Sequence, residues 1–220
     1  MKMSKKELCK RYLLFIVSLF FSGLGVAIAR HGALGVPPIS SVANVLSYRF
    51  SFLSLGTWLI LWNCLLVLGQ ILILRKRFPP IQLLQVPLSF LFGYFTDFGA
   101  WCVSFVPNDA YPVRLLLVAA GVVVLAFGIA LSVIANVVLN AGEGFVKAVS
   151  DTLCRDFGNV KIVFDVCCVL LAILLSLLLF DFTIVGAREG TVIAALGTGL
   201  VVKQFTRRLQ KPVSRLLTAP

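Results

Sequence analysis

The sequence has few charged residues and very few acidic ones. Of its 220 residues, 13% are Asp, Glu, Lys or Arg and only nine are acidic, whereas 60% are hydrophobic. A soluble globular domain carries about 25% charged residues, which keep its surface in water. The shortage of charge, together with a mean hydropathy of +1.01, excludes an ordinary soluble domain and predicts an integral membrane protein.

Enzyme signatures and metal-ligand patterns are missing as well. The chain has one histidine, and its six cysteines show no C-x-x-C spacing, so neither a metal centre nor a disulfide framework is expected. There is no G-x-S-x-G turn, Walker loop, H-E-x-x-H helix or pair of carboxylates at a catalytic spacing. We therefore expect no enzymatic activity and no cofactor.

The sequence does contain a series of long hydrophobic runs. A helix needs about 20 apolar residues to cross a bilayer, and five runs reach that length, with a shorter and weaker sixth at Thr191–Phe205. The first run follows several lysines, like a signal peptide, but no convincing small-residue cleavage site comes after it, so we expect it to be retained. The five long runs are Tyr12–Ala29, Leu53–Leu74, Gln82–Phe105, Val113–Val138 and Val160–Phe180.

The basic residues lie at the ends of these runs and predict the topology. With six crossings and a cytoplasmic N-terminus, sixteen of the twenty Lys and Arg residues fall on the cytoplasmic side, as the positive-inside rule requires. The net charge of +11 is therefore a topology signal, and no nucleic-acid partner is expected. We expect a multi-pass protein of the cytoplasmic (inner) membrane with both termini in the cytoplasm.

A short stretch after the first run is too brief to cross the membrane. VPPISSVANVLS, residues 36–47, starts with two prolines and continues for about three helical turns. If it did cross, Arg75, Lys76 and Arg77 would move outside and the charge bias would weaken. Two interpretations remain open, a re-entrant helix that dips into the membrane and an interfacial helix that lies along it, because periodicity alone does not separate them.

The chain also resembles itself at a displacement of about 105 residues. Gly23 then aligns with Gly128, and NAGEGFVKAVSDTL, residues 140–153, takes the place of the first short stretch. Each copy reads as a long helix, a break, a short helix and two long helices. Because each copy crosses the membrane an odd number of times, the two copies must have opposite orientations.

These patterns predict an all-α membrane protein with one transmembrane domain over residues 1–220. It has six transmembrane helices, two short re-entrant or interfacial helices, and two inverted-topology repeats at about 12–105 and 113–206. Short basic cytoplasmic tails at 1–11 and 207–220 flank the repeats.

The turns after the first helix of each half resemble a known family. LGVPPIS at 34–40 and LNAGEGF at 139–145 are similar to the Gly-rich turn L-G-x-G-P-x-D of the YczE/YitT-type family of small bacterial multispanning membrane proteins. Gly158, Lys161 and Asp165 fit the later G-x-x-[KR]-x-x-x-[DE] pattern of that family. Ser40 and Phe145 replace its acidic residues, so the resemblance implies the architecture more than a particular activity.

Polar side chains within the apolar stretches are the candidates for a solute site, because charged groups at membrane depth are costly and mark functional positions. Asp97 could handle a solute or proton, lie in a wet vestibule, or pair with Arg30 or Arg114. The candidate solute-binding residues are Ser40, Ser41, Asn44, Gln85, Asp97, Asn140 and Glu143.

Three further polar residues are expected to be structural. Lys161 and Asp165 have the i, i+4 spacing of a local ion pair on a helix. Asn63, which aligns with Asp165 in the internal repeat, is expected to form a hydrogen bond between helices.

The predicted function is transport of a small polar or anionic solute through a central site between the repeats. The partners are then the lipid bilayer and that solute, with a homodimer possible. Two alternatives remain open, a substrate-binding membrane subunit of a larger energy-driven importer and a non-transporting structural membrane protein.

Overall fold

The computed structural model of the protein describes residues 4–218. Within this range the chain forms eight α helices and no strand, which confirms the all-α class. The helices are α1 Lys5–His31, α2 Pro38–Arg49, α3 Leu55–Leu74, α4 Gln85–Val103, α5 Tyr111–Ala135, α6 Ala141–Leu153, α7 Phe157–Leu179 and α8 Glu189–Thr218. Two short 3-10 helices, Arg75–Arg77 and Pro80–Leu84, connect α3 to α4.

In the described range, five helices are long and apolar enough to cross a membrane, namely α1, α3, α4, α5 and α7. They correspond to the five long hydrophobic runs, and they make this a multi-pass helical membrane protein by length and composition. The helix α8 does not meet the same criterion. Its apolar part is short because Lys203, Arg207 and Arg208 follow it within the same helix.

The helix α8 is longer than the sixth hydrophobic run predicts. It continues to Thr218 with Pro212 inside it, so most of the basic tail expected at 207–220 is helical up to that residue. Residues beyond Thr218 lie outside the described range.

The helices α1 and α5 form the centre of the structure and run antiparallel. Gly128 lies against Ser22, and Gly121 lies against Ala29, nearer the end of α1. A Cβ added at Gly121 would stand 2.6 Å from the backbone nitrogen of Ala29. The small side chains therefore let the two helix backbones approach closely.

The short helix α2 lies along α7. The Ser41 hydroxyl reaches the carbonyl of Cys168, and Val42 and Val45 pack against Ala172 one turn further along both helices. The helix α2 thus starts beside the middle of α7 and runs in the same direction. Eight of its twelve residues are buried, which is the environment of an interior helix rather than of one lying on a surface.

The second short helix, α6, lies along α3 in the same manner. Ala141 packs against Leu66 and Val67, and Gly144 lies close to Gln70. The chain reaches this position through Asn136, whose left-handed backbone (φ 48°) ends α5. The helix α6 therefore starts beside the middle of α3 and follows it towards its C-terminal end.

The two short helices meet at their N-terminal ends. A Cβ on Gly142 would stand 2.8 Å from the side chain of Ile39, so the first turns of α2 and α6 are in contact. From this point α2 follows α7 and α6 follows α3. The prolines at 37 and 38 and the glycine at 142 thus place two helix starts together inside the protein.

Candidate functional site

A cavity of about 500 Å³ lies where the short helices meet. The first turns of α2 and α6 form part of its wall, and α1, α3, α4, α5, α7 and α8 supply the rest. Four candidate solute-binding residues line it, namely Ser40, Gln85, Asn140 and Glu143. The three residues expected to be structural, Asn63, Lys161 and Asp165, line the same cavity.

Two of the serine and asparagine candidates on α2 lie outside this cavity. The Ser41 hydroxyl donates to the carbonyls of Pro38, at 2.6 Å, and Cys168, at 3.3 Å, and so ties α2 to α7. Asn44 donates its amide to the carbonyl of Gly186 at 2.9 Å. Both side chains lie on faces of α2 that contact other parts of the protein.

Asp97 also lies away from the cavity, at the start of α3. Its carboxylate accepts hydrogen bonds from the Ser54 hydroxyl at 2.6 Å and from the backbone N–H of Gly56 at 2.8 Å. Arg30 and Arg114 donate instead to Ser47 and to the carbonyl of Asn108. The charge of Asp97 therefore stabilises the positive N-terminal end of α3 and joins it to α4.

The charged residues of the cavity are two acids and one base. Lys161 and Asp165 form an ion pair on α7, as their spacing predicts. Within residues 4–218, no basic side chain lies within ion-pair distance of Glu143. The cavity therefore holds one carboxylate that has no cationic partner among the described residues.

Neither helix start is well suited to hold an anion, for a different reason in each helix. The first residue of α2 is Pro38, which has no N–H, and the N–H of Ser40 already donates to the carbonyl of Pro37 at 2.9 Å. The first turn of α6 carries Glu143, whose negative charge offsets the positive end of that helix. Neither helix start presents an uncompensated ring of N–H donors of the kind that binds anions.

Two buried glutamines, Gln70 and the cavity-lining Gln85, form a pair that was not among the predicted pairings. Gln70 is fully buried and donates to the Gln85 amide oxygen at 2.8 Å and to the carbonyl of Ala141 at 3.2 Å. It therefore connects α3, α4 and the start of α6. The available signal was a single amide in the apolar stretch LVLGQILIL, which is the kind of residue that forms hydrogen bonds between helices.

Two hydroxyl groups of cavity-lining residues were also not predicted from the sequence. Ser22 is 4% exposed, and its hydroxyl oxygen has no hydrogen-bond partner within the described residues. The Thr198 hydroxyl is likewise buried without a partner in that range. Serine and threonine are common in apolar helices, and nothing in the sequence distinguishes these two from the others.

A protein-family model matches almost the whole chain. Residues 9–207 match a model described as a family of unknown function, DUF6198. The chain belongs to the DUF6198 family. The match extends from the first turns of α1 into α8 and includes both short helices. The YczE/YitT resemblance stays a prediction, because the matched family does not carry that name.

No curated protein matches the chain, and no solved structure matches it.

This DUF6198 protein has a second, smaller pocket at the opposite end of α1. It has a volume of about 300 Å³ and is lined by Arg30, His31 and Tyr48 among others. The Arg30 guanidinium lies 5.0 Å from the centre of the Tyr48 ring. Val26 lines the central cavity and Ala27, the next residue, lines this second pocket, so one turn of α1 borders both.

In the described part of the DUF6198 chain, no three His, Cys, Asp or Glu side chains come together as a metal site would require. The polar groups of the cavity are instead carboxylates, one ammonium, amides and hydroxyls. Groups of these kinds offer charge and hydrogen bonds rather than metal coordination.

Proposed function

We propose that this protein transports a small solute across the membrane and that the central cavity is its binding site. The observation that carries the proposal is the meeting of two broken-helix ends beside Asn63, Glu143, Lys161 and Asp165. Backbone that is not in a continuous spanning helix is tolerated at membrane depth only where it is buried in protein or lines a wet cavity. Ionisable side chains at such depth mark solute or ion pathways.

The packing supports the inverted-repeat part of the proposal. The helices of the two halves pair crosswise, with α2 on α7 and α6 on α3, while α1 packs on α5. Contacts within each half also correspond, since α4 packs on α1 and α8 packs on α5. A two-fold relation between α1–α4 and α5–α8 accounts for these pairs, and it is the arrangement of many secondary transporters.

The proposed topology has six crossings, with α8 as the sixth. The 30 residues of α8 give a length of about 45 Å, which exceeds the roughly 30 Å of a bilayer core. Its basic C-terminal part then lies in the cytoplasm, as does the N-terminus. In this proposed topology the protein lies in the cytoplasmic membrane, and α2 and α6 start near the midplane.

The two pockets suit a transporter that opens to one side at a time. The central cavity extends towards the start of α4 and the end of α5, whereas the second pocket lies at the end of α1 and is smaller. Rocking of one repeat against the other would enlarge one pocket as the other closes. In the proposed topology, the larger cavity faces the cytoplasm.

The test is an uptake screen on purified protein in proteoliposomes. Vesicles are exposed to a mixture of amino acids, organic acids, amines and sugars, and their contents are measured by mass spectrometry. We expect at least one solute class to accumulate above protein-free vesicles, and we expect Glu143→Gln to change that uptake. Asp151→Asn is the matched control, because Asp151 is an exposed acid on the same helix that pairs with Lys147.

Two results would contradict the proposal. If no solute class accumulates in vesicles that contain correctly folded protein, transport is not the activity. If solutes bind without uptake, the alternative of a binding subunit for a larger importer is favoured instead, and co-purification with an ATPase then becomes the relevant measurement.

A further inference from the structure

We propose that the solute is an organic cation with an apolar body, in contrast to the anion that the helix breaks alone suggest. This inference rests on the proposed function of the central cavity. It concerns the charge of the solute. The argument uses the contacts of the three charged residues of the cavity, Glu143, Lys161 and Asp165.

The charge balance of the cavity is the first argument. Lys161 is held by Asp165 on the same helix, so its ammonium group is already neutralised. Glu143 lies in the cavity wall with no cation near it in the described range. A bound ammonium group would supply the missing partner, because opposite charges in a partly desolvated site attract strongly.

The helix starts do not reverse this balance. The start of α2 lacks one N–H because of Pro38 and uses another, that of Ser40, within its own turn. The start of α6 is offset by Glu143 in its own first turn. An anionic group in the cavity would meet the carboxylates of Glu143 and Asp165, and the helix starts offer few free N–H donors to offset that repulsion.

The remaining walls indicate what the rest of the solute is like. The charged residues come from α6 and α7, whereas α1, α4 and α5 present mainly apolar side chains, including Phe15, Phe92 and Ile129. Among these walls the Ser22 hydroxyl is buried and lacks a partner in the described range. That hydroxyl lies against Gly128 of α5, so the body of the solute would meet mainly apolar surface on this side of the cavity.

The experiment compares three probes of similar shape and different charge. Binding of phenethylamine, phenethyl alcohol and phenylacetate to the detergent-purified protein is measured by equilibrium dialysis at neutral pH. We expect saturable binding of the amine and at least about tenfold weaker binding of phenylacetate. A tenfold ratio corresponds to the loss of one modest charge interaction.

Two substitutions in the cavity should shift this preference in opposite directions. Glu143→Gln keeps the shape of the side chain and should weaken amine binding about tenfold or more. Lys161→Met releases the Asp165 carboxylate and should tighten amine binding, a change that loss of folding would not produce. Asp151→Asn on the exposed side of α6 should leave binding unchanged, and thermal unfolding checks that each variant is folded.

The outcomes separate this inference from the proposed function. Absence of saturable amine binding, equal or tighter binding of phenylacetate, or unchanged amine affinity in Glu143→Gln would each overturn the cation assignment. Uptake is measured separately with phenethyltrimethylammonium, whose permanent charge prevents passive entry. Binding of the amine without uptake of this probe overturns transport of such cations but leaves the charge of the site as proposed. Uptake of phenylacetate above the level in protein-free vesicles would instead support transport and overturn the cation assignment.

Discussion

Replacement of Gly56 by alanine tests how closely α3 and α4 pack. A Cβ at this position would stand 2.1 Å from the carbonyl oxygen of Gly93 and 2.6 Å from the carboxylate of Asp97. Carbon and carbonyl oxygen normally approach no closer than about 3.3 Å. The two helices must therefore separate locally by about 1 Å, because the obstructing atom belongs to the backbone and has no rotamer to change.

The cost of this separation has two parts. Overpacking of a tight contact costs about 1 to 3 kcal/mol. The hydrogen bond from the Gly56 N–H to Asp97, 2.8 Å long in the wild-type protein, is also stretched, and bonds to charged groups contribute about 1.5 to 3 kcal/mol. Since the bond is weakened rather than lost, we expect Gly56→Ala to lower stability by about 2 to 4 kcal/mol.

Two other glycines provide controls of the same chemical change. Gly158 aligns with Gly56 in the proposed internal repeat, yet a Cβ there would meet only the side chain of Asp156, at 3.0 Å. A Cβ at Gly199 would have no neighbour within 4 Å. We expect Gly158→Ala to change stability by less than about 0.5 kcal/mol and Gly199→Ala to raise it by up to about 1 kcal/mol.

Thermal unfolding of the three variants in one detergent measures the difference. We expect the midpoint to fall clearly for Gly56→Ala and to stay near the wild-type value, or rise, for the two controls. If Gly56→Ala unfolds at the wild-type temperature, or if Gly158→Ala falls as far, the close contact of α3 with α4 is not the cause.

Three further predictions concern the hydrogen bonds of Asp97 to the start of α3, the pair of Gln70 and Gln85, and the topology. Asp97→Ala should lower stability by about 1 to 3 kcal/mol through loss of its bonds to α3 yet leave solute affinity unchanged, and loss of affinity in folded protein would assign Asp97 to the site. Gln70→Leu should destabilise by a similar amount, because it leaves the Gln85 amide unpaired, and the double variant with Gln85→Leu should lose less than the sum of the two. In intact cells, a membrane-impermeant maleimide should label Cys102 but not Cys154, both of which are exposed, and the reverse result would invert the proposed topology.

The number and order of the helices follow from the sequence to a large extent. The hydrophobic runs predicted the positions of α1, α3, α4, α5 and α7, because an apolar stretch of this length is most stable inside a membrane. Pro37, Pro38 and Gly142 located the starts of the short helices, since these residues interrupt regular helices. The length of α8 could not be predicted from the sequence, because a proline within a basic stretch, such as Pro212, is also typical of an irregular tail.

Part of the candidate site was predictable from the sequence, namely the polar residues that lie next to a helix break. Ser40, Asn140 and Glu143 line the cavity because they follow or precede the residues that end a helix inside the protein. Ser41 and Asp97 do not line the cavity. Their positions could not be predicted, because hydropathy indicates that a residue lies at membrane depth but not which neighbour it faces. That information depends on helix rotation, which a single apolar sequence with little periodicity does not encode.

The two halves of the proposed repeat pack unequally beside the cavity. In the first half, Gly56 and Gly93 let α3 and α4 pack backbone against backbone, which closes that side of the molecule. Among the described residues, α7 and α8 scarcely touch, so the corresponding side of the second half stays open beside Lys161 and Asp165. Glu143 lies in the wall of this cavity, and a carboxylate enclosed there without a cation would cost free energy. The open side keeps this carboxylate within reach of water or of a solute cation, and the proposed site therefore depends on the asymmetry between two similar halves.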